Sequence, residues 1–151
     1  MNKPWLYLAA PLFNPQELAF NGRLASSLES RFNVFMPQRD GVLIPGKDLS
    51  STQFREMSES AFRSDLFAIR NAEVVLAVLD GRTIDEGVAF ELGYATALGK
   101  LCIGLKTDNR VLLANGINPM VSGSLHELLA SETDVQNWTS RYFANTGKRD
   151  F

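Results

Sequence analysis

Cysteine is all but missing from this chain of 151 residues: Cys102 stands alone. A single cysteine excludes an internal disulfide and suits a reducing cytosol. Its place in the apolar run Leu101–Leu105 predicts buried packing rather than reactivity. Histidine is as scarce. His126 is the one possible histidine base for a serine or cysteine nucleophile, and it lies in a plain apolar-polar segment. No Cys/His cluster has metal-ligand spacing. Neither Gly-x-Gly-x-x-Gly nor Gly-x-x-x-x-Gly-Lys-Ser/Thr occurs, which excludes the ordinary dinucleotide and P-loop phosphate sites. No stretch approaches the roughly 20 apolar residues of a membrane-spanning helix. The apolar start, Trp5–Ala10, is ended by Pro11, Asn14 and Pro15, too soon for a signal-peptide core. Neither sign of charge dominates: the formal net charge of −2 gives no general pull toward nucleic acid or an anionic membrane. Internal repeats and low-complexity segments are absent as well. The expectation is a soluble cytoplasmic protein with no nucleic-acid polymer and no membrane as partner.

What is present is enough for a core. With 45% hydrophobic residues the chain reads as one domain spanning 1–151. Strands and helices alternate along it. Trp5–Ala10 reads as a first strand. Asn14-Pro15-Gln16-Glu17 is a helix start, with Asn as N-cap, Pro at the first helical position and Glu at the third. That helix carries Leu18, Phe20, Leu24 and Leu28 and ends about Ser30. Asn33–Met36 is a short second strand. Pro37–Leu49, with two prolines and two glycines, reads as a long loop of the kind that is often functional. A second helix spans Ser51–Asn71, with Phe54, Met57, Ala61 and Ile69 expected toward the core. Val74–Leu79 is a third strand, Leu101–Leu105 a fourth, and His126–Leu129 a candidate fifth. A loop through Asn115-Gly116 and a short segment near Asn118 precede it. A helix over Ser131–Ala144 follows, and Thr146–Phe151 reads as a tail, flexible or partner-contacting. This rhythm argues an α/β protein: a flavodoxin- or Rossmann-like doubly wound, mostly parallel five-stranded sheet with helices on both faces.

Such sheets bind ligands beyond the carboxyl ends of their strands, at the switch in strand order. That rule selects Ala9–Asn14, Pro37–Gly41 and Asp80–Gly87. From the last of these a helical segment runs to Gly99 with one formal charge, Glu91, among Val88, Ala89, Phe90, Leu92, Ala95 and Leu98. Gly87 lies one turn before Glu91 and Ala95 one turn after it, so small neighbours leave room to reach the carboxylate. Burying an unpaired charge is expensive, which marks Glu91 as functional. Asp65 and Asp85 are the other acids in unusual settings, although Asp85 could equally cap its helix and Asp65 could be a solvated helix charge. Paired carboxylates suit glycosidic-bond chemistry through an oxocarbenium-like transition state. A phosphate-accepting receiver domain would use Asp80 at the end of the third strand. It would also need an acidic pair after the first, where this chain reads Ala-Ala-Pro-Leu-Phe.

At these residues the chain resembles the nucleoside 2-deoxyribosyltransferases. The matching pieces are Tyr7 to Pro15, Ser64-Asp65-Leu66, Asp85 to Ala95 and Ile117-Asn118-Pro119-Met120. The resemblance implies that Glu91 is the nucleophile that holds deoxyribose covalently. It implies that Tyr7, at the end of the first strand, orients that glutamate. Asp65 would pass a proton to the departing base, Asp85 would meet the sugar hydroxyls, and Gln38 would contact the base. Phe13 and Met120 would be apolar walls for the base, and Gly87 would give room for substrate. Asn118 would reach the sugar of a neighbouring subunit, so a homo-oligomer is implied. Substrates would be a deoxyribonucleoside and a free nucleobase, with no cofactor and no metal. The position of Glu86 is often not acidic in the family.

Two other readings stay open. A hydrolase of the same superfamily would cleave a 2′-deoxynucleoside 5′-monophosphate at its N-glycosidic bond. The apolar loop Ala-Pro-Leu-Phe-Asn after the first strand disfavours it, while Arg39, Arg82 and Lys47 could reach a phosphate. A noncatalytic nucleotide-binding sensor would need no set of Tyr7, Asp65, Asp85 and Glu91.

Overall fold

The computed structural model describes residues 2–111, 113 and 116–146. Of the expected tail only Thr146 falls among them, and Asn115 lies outside them. Five strands, β1 (Trp5–Ala9), β2 (Asn33–Phe35), β3 (Val74–Val78), β4 (Leu101–Leu105) and β5 (Glu127–Leu129), form one sheet in the order β2-β1-β3-β4-β5. Every pairing is parallel. From β1 the chain first moves outward to β2, then returns past β1 to β3. The switch in strand order therefore lies between β1 and β3.

Among the described residues five helices lie between the strands, α1 (Pro15–Leu28), α2 (Pro37–Asp40), α3 (Ser51–Asn71), α4 (Glu86–Ala97) and α5 (Pro119–Ser122), and α6 (Glu132–Thr146) follows the last strand. Successive strand residues point to opposite faces, and the two faces build separate cores. Leu6, Leu8, Leu76 and Ile103 pack with Leu24 and Leu28 of α1 and Trp138 of α6. Tyr7, Ala9, Val75 and Ala77 pack with Ile69 of α3 and with Val88, Leu92 and Ala95 of α4. The strand period thus sends Tyr7 to the α3–α4 face. Among the described residues no helix is long and apolar enough to cross a membrane.

Local signals explain the helix starts. The Asn14 side chain accepts from the Glu17 amide at 2.9 Å, and the Glu17 carboxylate accepts from the Phe13 amide at 2.8 Å. Ser50 and Gln53 form a reciprocal capping box that starts α3. Within the expected Pro37–Leu49 loop the structure forms α2. Pro37 supplies a preset φ at its first turn, and Asp40 accepts from the Met36 amide at 2.9 Å.

The expected inward set of α3 is corrected. Only Ile69 of this helix is buried; Phe54 is 55% exposed, and Met57 and Ala61 are half-buried. The reason is length. A helix of 21 residues runs about 31 Å at 1.5 Å per residue, whereas a strand of five covers about 17 Å. The amino-terminal turns of α3 extend past the sheet and are at most half-buried.

Phe32, outside every periodic segment, helps tie α6 to the core on this face of the sheet. It is 1% exposed, stacks on Trp138 with centroids 6.0 Å apart, and meets Tyr142 and Phe143. Phe32→Ala is expected to cost about 3–5 kcal/mol of stability, read as a lower midpoint in urea denaturation with an unchanged slope.

Candidate active site

Glu91 sits near the middle of α4 with its side chain turned toward β1. There the Tyr7 hydroxyl donates to Glu91 Oε1 at 2.6 Å. Tyr7 stands in the middle of β1 rather than at its end, fully buried, and its ring stacks on Phe35 at 5.6 Å. A rigid donor fixed by the sheet therefore holds the carboxylate from below. Sequence reading missed Phe35, because an aromatic residue in a strand carries no local mark of what stacks on it.

Burial pushes the Glu91 carboxyl up to about 8; the Tyr7 hydrogen bond opposes this, and the charges of Asp65 and Asp85 add to it. Burial likewise raises Asp65, on α3, to about 6. Tyr7 is driven above its ordinary range, first by burial and then by the charges of Glu91 and Asp65. These four groups share one electrostatic environment.

Asp65 Oδ1 is shielded from solvent and without a hydrogen-bond partner. Gly41, just after α2, lies against it. A Cβ there would clash with the Pro37 carbonyl at 2.7 Å and press on Asp65 Oδ1 at 3.2 Å, so glycine is the residue that fits beside this carboxylate. Its signal was the Asp40-Gly41 step closing α2. Asp85 caps α4 by accepting from the Val88 amide at 3.1 Å. A Cβ on Gly87 would crowd Asp85 Oδ1 at 3.0 Å, which accounts for glycine at that position.

The remaining candidates are more dispersed. Phe13 is 77% exposed and lines a cavity of about 740 Å³ with Pro11, Asn21, Asp80 and Asp85. Asn118 caps α5 by accepting from the Met120 amide at 2.9 Å. With Met120, 84% exposed, it lines a second cavity of about 380 Å³ on the other side of the β3–α4 loop. Glu91 lines neither cavity. Gln38, on α2, has its amide engaged by α1: it donates to the Leu18 carbonyl and accepts from Asn21, both at 2.9 Å. Asn21, 2% exposed, was also missed, since a lone asparagine on a helix has no distinctive context.

Arg39 is taken up by Asp40, Glu29 and the Val34 carbonyl. His126 is distant from all of this. Its Nδ1 accepts from the Cys102 amide near the start of β4. Cys102 itself is buried. Among the described residues no group of three or more His, Cys, Asp and Glu could hold a metal ion.

The profile of the nucleoside 2-deoxyribosyltransferase family matches residues 6–144. The chain belongs to this family. Among solved structures, a 2-deoxyribosyltransferase from Bacillus psychrosaccharolyticus is 28% identical, with a TM-score of 0.71 over 88% of this chain and 90% of that one. A conserved protein from Enterococcus faecalis is 23% identical, with a TM-score of 0.76 over 93% and 99%. A CMP N-glycosidase from Clostridium botulinum shares the fold at 19% identity, with a TM-score of 0.56 over 91% and 98%. Comparison with curated proteins yields no match. The family is one of enzymes that act on nucleosides.

The raised Glu91 carboxyl has a consequence for stability. The folded state holds its proton more tightly than the unfolded chain, whose ordinary value is 4.5. The contribution is complete below that value and is lost as pH rises through about 8. Glu91→Gln is therefore expected to be more stable than the wild type at pH 8, by about 4 kcal/mol. The difference should shrink on acidification and vanish below about pH 4 when thermal unfolding is followed across pH.

Proposed function

We propose that this enzyme exchanges the base of a 2′-deoxyribonucleoside through a covalent deoxyribosyl-Glu91 intermediate, with retention. The observation that carries the proposal is the Tyr7–Glu91 hydrogen bond beneath the buried face of α4, with Asp65 within electrostatic reach. The Glu91 carboxylate attacks the anomeric carbon as the N-glycosidic bond breaks. The bond's electron pair leaves on the base, which takes a proton from Asp65. An incoming base then attacks the same carbon from the vacated face, frees the Glu91 carboxylate and returns a proton to Asp65. Two inversions give retention.

The chemistry needs one ionised carboxylate and one transferable proton at once. Between about 6 and about 8 the Asp65–Glu91 pair holds a single proton, which rests chiefly on Glu91 in the free protein. Turnover requires its transfer to Asp65, and the Tyr7 hydrogen bond favours the ionised Glu91 that this leaves. Asp85 is assigned to the sugar hydroxyls and Gln38 to an edge of the base. Gly87 supplies room, and Phe13 and Met120 supply apolar walls. Asn118 and Met120 are assigned to the site of a neighbouring copy. The exposure of Met120, and of Phe62 and Phe90 (each 53%) on α3 and α4, supports a homo-oligomer. Such an assembly would also keep water from the covalent intermediate.

The 5′-monophosphate hydrolase reading is weaker on one observation. Arg39 is engaged by Glu29 and Asp40 and Arg110 by Asp108, which leaves Arg82 and Lys47 to hold a phosphate.

Deoxyinosine incubated with and without adenine tests the proposal by chromatography. Deoxyadenosine is expected only when adenine is present. Hypoxanthine release without a new nucleoside, or a strong preference for dAMP or dCMP, would move the enzyme to the hydrolase class. Tight binding with no released base would make it a sensor. Glu91→Ala should abolish turnover in a folded protein, a loss of at least about 10³-fold. Plotted against pH, kcat/KM should be bell-shaped with limbs near 6 and 8. If Asn118 acts across an interface, mixing inactive Glu91→Gln and Asn118→Ala proteins should restore activity that neither has alone.

A further inference from the structure

The loop from β3 to α4 is braced from behind by the segment that follows β4. Lys106 Nζ, on a side chain 11% exposed, donates to the Gly81 carbonyl at 2.9 Å, the Leu79 carbonyl at 3.3 Å and Asp108 Oδ1 at 2.7 Å. Asp108 Oδ2 accepts from the Gly81 amide at 2.9 Å and from Arg110 Nε at 2.7 Å. Asp80 accepts from the Thr107 hydroxyl at 2.6 Å and from the Thr107 and Asp108 amides. Both backbone groups of Gly81 are thereby taken. Its φ of +113° is one that side chains rarely adopt, and a Cβ there would lie 2.9 Å from the Thr83 carbonyl. Burial would push the Asp108 carboxyl up. The bonds from Lys106, the Gly81 amide and Arg110 outweigh that and hold it below the usual carboxylate range.

The braced loop is a partition. Gly81, Thr83 and Ile84 face both cavities, Asp85 lines one, and Lys106 lines the other. The cavity of about 380 Å³ behind the loop is space into which the loop could relax, and a dense core does not oppose that movement. The hydrogen bonds from Lys106 and to Asp108 do. We propose that Lys106 and Asp108 are positioning residues of the active site, holding Gly81–Ile84 forward so that Asp85 stays at the start of α4 near Glu91. Lys106 works from the side of the loop away from the Asp85 cavity, so it acts through Asp85. The consequence for rate rests on the base-exchange reading; the brace itself does not.

Lys106→Met keeps the apolar stem and removes all three donors. In the full-length variant, amide hydrogen exchange across Arg82–Val88 is expected to quicken at least about tenfold while β1 and α1 keep their protection. For base exchange kcat should fall about tenfold or more with KM within about threefold, as for a displaced group that acts in the transition state. Lys106→Arg, which keeps charge and donors, should recover most of both. In an Asp85→Asn background, Lys106→Met should cost little more. Unchanged exchange in the loop would overturn the proposal, whatever the activity. A loosened loop with unaltered kcat would overturn the positioning role. A wild type that neither exchanges nor releases base would sink the base-exchange reading alone and leave hydrogen exchange to decide the brace. If Lys106→Met does not fold, Thr107→Val removes one hydroxyl bond to Asp80 and is read by the same criteria.

Discussion

The hydrogen bond from Tyr7 to Glu91 joins residues 84 positions apart, and the rest of the site is arranged around it. A carboxylate on an apolar helix is costly unless something meets it. The donor comes from a strand, because β1 lies next to β3 and α4 crosses back over the face to which odd-numbered residues of β1 point. A change in strand order, or a one-residue slip of β1, would turn Tyr7 to the opposite core and leave the glutamate without its partner. Strand order, side-chain alternation and helix placement therefore converge on one phenol-carboxylate contact.

Acids are used in two opposite ways here. Asp40 and Asp108 sit among cations and amides that outweigh the effect of burial and hold their pKa values down; they tie loops together. The pKa values of Glu91 and Asp65 are raised chiefly by burial. The first pair suits permanent charge. The second holds its protons tightly enough to keep and trade them near neutrality, which is what a group that alternates between charged and neutral forms requires.

Much of this is legible in the chain. Glu91 stands out because its neighbours are apolar, and the start of α1 is marked by its own capping residues, Asn14, Pro15 and Glu17. The alternation of strands and helices implies the parallel sheet, and the five strands lie within a residue of their expected limits. What is not legible comes from tertiary context. Phe54, Met57 and Ala61 have the spacing of an inward face, but spacing cannot say where the sheet beneath a helix ends. Gln38 is marked for a base, yet its amide is engaged by Leu18 and Asn21. Lys106, Thr107 and Asp108 read as ordinary loop polarity. Their role depends on the adjacency of β3 and β4, which no local pattern encodes.

The overhang of α3 makes this helix two parts in series. Its carboxyl half, with Asp65 and Ile69, is registered against the sheet by burial. Its amino half has no such register, and its cap, Ser50 with Gln53, is entirely local. A whole turn inserted between Gln53 and Phe54 would carry the cap outward and leave Asp65 where it is. Length variation in this chain is thus tolerated at the front of α3, and with it the outer surface can be redrawn while the reacting groups stay in place.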